Sequence, residues 1–114
     1  MTQTIKLIVY PVKDLEAAKK LFSKFLGVEP YADSSYYVGF KAGDLEVGLD
    51  PSAYKQNVTG PIVYIDVADI KAYLQTLLDA GAQVVQEVKE VVGGLLIASV
   101  KDANGNILGL RQSH

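Results

Sequence analysis

With 114 residues, 49% of them apolar, and no cysteine, the chain can build one hydrophobic core but not a disulfide framework, a thiolate nucleophile or a sulfur-ligated zinc site. Thirteen acidic and eleven basic side chains leave a formal charge of −2, with no positive field for phosphates, so nucleic acid is set aside as a partner. The absence of thiols suits the cytoplasm, and the apolar run in MTQTIKLIVYPVKD is too short for a signal segment or a membrane span.

Residues 5–10, IKLIVY, predict a strand that is apolar on both faces. Asp14 offers an N-cap, Leu15, Ala18, Phe22, Phe25 and Leu26 follow at helical spacing, and Gly27 is placed to end that helix in a left-handed conformation. Lys19, Lys20 and Lys24 read as its solvated face. From Gly27 to Leu49 the helical period is lost. Segments around YYVGF and DLEVGL, separated by Ala42-Gly43, point to three strands.

The series restarts after the loop DPSAYKQNVTGP. A strand IVYIDV is followed by a capping Asp69, by Ile70, Tyr73, Leu74, Leu77 and Leu78 on one helical face, and by a closing Gly81. Strands around AQVVQEV, LLIASVK and ILGLRQ complete it, the last two joined at Asn104-Gly105. The sequon Asn57-Val58-Thr59 has no secretory signal to accompany it and is read as chance. A shift of 55 positions lays Val12 on Val67, Asp14 on Asp69, Leu15 on Ile70 and Ala17 on Ala72. The prediction is one α+β domain over 1–114, made of two βαβββ repeats, 1–50 and 61–114, with 51–60 as linker.

The segment PVKDLEAAKKLFSKFLGV resembles the first strand-to-helix passage of the vicinal oxygen chelate superfamily, which includes glyoxalases, bleomycin resistance proteins and extradiol dioxygenases. VKDANGNILGLRQ is similar to that superfamily's closing hairpin and last strand. The resemblance implies that the strands of each unit curl into half a barrel with the helix on the convex side, and that paired units enclose a cup for ligands. It further implies that metal-using members hold a divalent ion there through the first and last strands of the units. Matched through Val12, Asp14 and Leu15, the first-strand positions fall on Leu7 and Ile62, and the last-strand positions on Glu46 and Gly109. One carboxylate cannot replace the hydration shell of a divalent ion. The only histidine, His114, is terminal. No metal and no other cofactor are therefore expected.

Alternation along the strands sorts the remaining residues. Val63, Ile65 and Val67, like Leu45, Val47 and Leu49, form apolar rows suited to pack under helices. The opposite rows would line the cup: Leu7 and Val9; Glu46, Gly48 and Asp50; Ile62, Tyr64 and Asp66; and Arg111 beside Gly109. If Phe40 and Val100 belong to the core, Tyr37 and Gly39 face inward as well, with Ile97 and Ser99. An apolar wall with sparse polar groups is the usual character of a small-molecule site. The tyrosines serve equally as ordinary half-buried strand residues, and Glu46, Asp66 and Arg111 as a charge cluster that keeps the wall soluble.

One terminal histidine and no cysteine leave no Ser-His-acid or Cys-His arrangement, and Gly93-Gly94 precedes a strand rather than a phosphate-binding helix. The leading expectation is a homodimeric, cytoplasmic protein that binds or sequesters a hydrophobic or aromatic small molecule, an antibiotic among the options, with no membrane partner. The alternatives are a metal-free lyase or isomerase using Glu46 or Asp66, a lyase with an unanticipated metal site, or a domain that binds a protein partner.

Overall fold

A computed structural model describes residues 3–58 and 60–113, so the sequon's Thr59 and the terminal His114 lie outside the described residues. The chain divides into two compact units: Lys6–Pro61, and the chain from Ile62 onward with the residues before Lys6.

In the first unit, β1 (Ile5–Pro11) leads into α1 (Leu15–Leu26), then β2 (Ala32–Asp33), β3 (Val38–Ala42) and β4 (Leu45–Asp50). Asp14 caps α1 by accepting a hydrogen bond from the Ala17 N–H at 3.1 Å, and Gly27, with φ 73°, closes it. The strands lie in the order β2-β3-β4-β1. A tight turn at Gly43 (φ 66°) joins β3 and β4 as an antiparallel hairpin, whereas β1 pairs with β4 in parallel. Val38, Phe40, Val47 and Leu49 are buried in the core, against Tyr10, Val12, Leu15, Ala18, Phe22 and Leu26.

The segment expected to be a linker contains one helical element. Pro51–Lys55 form the short helix α2, capped by Asp50, whose carboxylate accepts from the Ser52 N–H at 2.8 Å. Proline in the first turn has a φ already suited to a helix, and it lacks only an N–H that would be unpaired there. Five residues are too few to show a helical period, which is why the segment carried no periodic signal.

The second unit repeats the plan: β5 (Ile62–Asp66), α3 (Ile70–Asp79), β6 (Gln83–Glu90), β7 (Leu96–Lys101) and β8 (Ile107–Gln112), with the strands ordered β5-β8-β7-β6. Asp69 caps α3 through the Ala72 N–H at 3.1 Å; the helix ends on Ala80, and Gly81 (φ 107°) turns the chain out of it. β5 runs parallel to β8, while β8, β7 and β6 are successively antiparallel, with two register shifts between β6 and β7. The core of this unit is Val67, Ile70, Leu74, Ala98, Val100 and Leu110.

Candidate functional site

Because Val38, Phe40, Val47 and Leu49 pack toward α1, the intervening residues of the first sheet occupy its helix-free face. Strand register places them in two cross-strand rows, Leu7–Glu46–Lys41 and Val9–Gly48–Gly39. Tyr37 enters from the turn before β3, where Ser34 Oγ donates to the Tyr37 carbonyl and accepts from its N–H, each at 3.1 Å. Its ring crosses Gly48 so closely that a Cβ there would lie 2.7 Å from the Tyr37 Cζ.

Tyr31 repeats this arrangement one strand further out. Its N–H donates to the Gly39 carbonyl at 2.9 Å, and its ring would stand 3.1 Å from a Cβ at Gly39. The Tyr31 hydroxyl donates to Glu46 Oε1 at 2.5 Å, the short distance typical of a charge-assisted O–H···O bond. Lys41 Nζ sits 4.9 Å from the centre of the same ring, within cation–π range. Sequence reasoning passed over both residues. Lys41 follows from the alternation that placed Gly39, but Tyr31 lies in a segment with no period to reveal it.

In the second unit Val67, Ala98, Val100 and Leu110 turn to α3, which leaves Ile62, Tyr64, Asp66, Ile97, Ser99, Gly109 and Arg111 on the helix-free face. Asp66 pairs with Arg111 and Arg111 with Ile97; Tyr64 pairs with Gly109 and Gly109 with Ser99. Arg111 Nε donates to Asp66 Oδ1 at 2.8 Å, Ser99 is buried, and the Tyr64 ring covers Gly109, its Cγ 2.8 Å from where a Cβ would stand.

The structure thus gathers Leu7, Val9, Tyr37, Gly39, Glu46 and Gly48 on one face and Ile62, Tyr64, Asp66, Ile97, Ser99 and Arg111 on the other. Asp50 belongs to the same strand row as Glu46 and Gly48, and its carboxylate also caps α2 by accepting from the Ser52 N–H.

One correction concerns the metal positions implied by the resemblance. The Val12 N–H donates to the Asp50 carbonyl at 3.3 Å, and the Val67 N–H to the Arg111 carbonyl at 2.8 Å. The same repeat relation sets the pair Val9 and Gly48 on the pair Tyr64 and Gly109. Gly48, not Glu46, is therefore the structural counterpart of Gly109, and Glu46 stands two residues upstream on the same face. The four positions become Leu7, Gly48, Ile62 and Gly109, none with a donor side chain. Among the described residues no group of three or more His, Asp or Glu could hold a metal ion. The residues present do not fit the divalent centre of the metal-using members.

A separate groove of about 660 Å³ lies beside α1, lined in part by Lys20, Leu21, Lys24, Glu29 and Asp33. Lys19 is tied there to Asp33 at 3.1 Å, and this hydrogen bond raises its pKa above the ordinary lysine value.

The family model for the Glyoxalase/Bleomycin resistance protein/Dioxygenase superfamily matches residues 4–110. Among solved structures, the chain is similar to a hypothetical protein from Bacillus halodurans C-125, with a TM-score of 0.80 at 14% identity over 100% of this chain and 96% of that one. A superfamily member from Vibrio splendidus 12B01 gives 0.73 at 17% identity, covering 98% and 100%. A methylmalonyl-CoA epimerase variant from Streptomyces coelicolor, bound to 2-nitronate-propionyl-CoA, gives 0.73 at 17% identity, covering 99% and 96%. At such identities the likeness is one of fold. No curated protein matches the chain by sequence. No helix among the described residues is long and apolar enough to cross a membrane.

Proposed function

Because this chain belongs to the Glyoxalase/Bleomycin resistance protein/Dioxygenase superfamily and its described residues offer no donor set for a metal, we propose that it binds a hydrophobic or aromatic small molecule and releases it unchanged. An antibiotic held in this way would make it a sequestering resistance protein. The observation that carries the reading is the pair of half-buried tyrosines, Tyr37 and Tyr64, each held against a sheet glycine on a helix-free face. Rings fixed in this way offer contact area with little entropy left to lose, and stacking adds about 0.5–1.5 kcal/mol per aromatic pair beyond area burial. Glu46 and the Asp66–Arg111 pair supply polar groups to orient a bound molecule.

The reading includes a cytoplasmic homodimer. β6 ends the strand order of its sheet, and such an edge invites pairing with a second chain.

A second reading, a metal-free lyase or isomerase, draws on the Tyr31–Glu46 bond, which places a carboxylate beside a phenol as a proton-transfer pair. The fold likeness to a methylmalonyl-CoA epimerase points the same way.

A melting screen against aromatic and hydrophobic compounds tests the proposal. Ligand at a hundredfold excess over its Kd stabilises a fold by about 2.7 kcal/mol, which here is a shift of several degrees. Tyr37→Ala and Tyr64→Ala should reduce that shift, and the ligand should be recovered intact. Conversion of the ligand would favour the enzyme, and a library that shifts nothing would favour a protein partner.

A further inference from the structure

We infer that Tyr37 and Tyr64 fill the room that a metal-binding side chain would need at positions 48 and 109. Ring and glycine then form one packing unit in each half, and a metal centre cannot be regained by changing the glycine alone. The inference rests on family membership and strand register, not on the ligand-binding reading.

Glycine inside a strand weakens it, because it gives up side-chain packing and loses more backbone freedom than any other residue. A glycine there needs a local reason. The usual one, a positive φ, is absent: Gly48 and Gly109 are not among the glycines with positive φ, which are those at turns and helix ends. The remaining reason is close approach by another group, and in both cases that group is a tyrosine ring.

The two rings arrive by different routes. Tyr37 reaches Gly48 from the turn before β3, on the antiparallel side of β4, whereas Tyr64 lies on β5, the parallel neighbour of β8. The two pairs are therefore not copies of one arrangement: each half sets a tyrosine ring against a strand glycine, but the ring comes from a different place in the unit. Leu7 and Ile62 at the first-strand positions complete the loss of donors.

Thermal melting of single and double variants tests this. Gly109→Ala should lower the melting temperature by roughly 5–15 °C, the usual range for overpacking in a domain of this size. In a Tyr64→Ala background the same substitution should cost nothing or raise the melting temperature, and Gly48→Ala should behave likewise with Tyr37→Ala. Wild-type protein dialysed against zinc, nickel or manganese should retain far less than one equivalent by elemental analysis. Additive melting shifts would overturn the inference, as would stoichiometric metal lost on Glu46→Gln. If Gly109→Ala does not accumulate as folded protein, the double variant decides: cooperative melting supports the inference, and failure to fold overturns it. A failed ligand screen leaves these outcomes unchanged, and additivity here leaves the screen unchanged.

Discussion

The two units carry the same elements in the same order, but their helices are seated at different depths. α3 buries Ile70, 1% exposed, and Leu74, and the Ile70 N–H donates to Gln112 Oε1 at 2.7 Å, tying the start of the helix to β8. α1 has no fully buried residue; Phe22 packs on Tyr10 with ring centres 5.1 Å apart, while Leu21 and Phe25 stand 67% and 76% exposed. The deep core of the first unit lies in its strands, where Val38, Phe40 and Leu49 are completely buried. By the shift of 55, Lys19 and Ser23 of α1 stand where α3 has Leu74 and Leu78, so the helices share the side that faces the sheet but not the apolar surface that side offers, and α3 sinks further.

The largest effects should follow that difference. Phe40→Ala should cost about 3–5 kcal/mol and Ile70→Ala about 2–5 kcal/mol, through lost transfer energy and the cavity left behind. Phe25→Ala, which loses mainly an edge contact to Phe22, should stay within about 1 kcal/mol. Urea unfolding measures all three, and a Phe25 cost equal to that of Ile70 would break the comparison.

The helix-free faces differ in how they hold charge. The first places Glu46 under a tyrosine hydroxyl, and the second pairs Asp66 with Arg111. Because the Asp66 side chain is 43% exposed, solvent screening limits the pair. Asp66→Asn should cost no more than about 1 kcal/mol, with the loss shrinking in high salt. A loss several times larger, insensitive to salt, would mean that the pair is desolvated and would sharpen the contrast between the faces.

The hairpins give the smallest contrast. β3 and β4 are joined by a tight turn, whereas the turn from β7 to β8 is organised by Asp102, whose carboxylate accepts from the Asn106 side chain and backbone at 2.9 Å and from the Asn104 N–H at 2.8 Å. These bonds, the Asn106 side chain first, lower its pKa below the ordinary carboxylate value of 3.8. A depressed folded-state pKa stabilises above the unfolded-state value, and that contribution is lost as pH falls through the folded one. Amide protection near residues 101–107, measured against the intrinsic exchange rate at each pH, should therefore fall below about pH 4 before protection at the β3–β4 turn does. Simultaneous loss at both turns would remove Asp102 as the cause.

Local patterns in the sequence determined much of this protein. Asp14 and Asp69 as caps, Gly27 and Gly81 at the helix ends, and period-two rows that separate helix-facing from helix-free residues all depend on near neighbours, so they were legible along the chain. Those rows by themselves set Tyr37, Glu46, Tyr64 and Arg111 on helix-free faces. Only the tertiary structure decided what those residues meet. The Tyr31–Glu46 bond spans fifteen residues and the Asp66–Arg111 bond forty-five, and no periodicity encodes such pairings. Register chose Gly48 over Glu46 as the counterpart of Gly109, and a slip of two residues keeps the same face, so alternation could not distinguish them. The ring that crosses each glycine, from the turn before β3 at Gly48 and from β5 at Gly109, reaches it only once the strands are paired.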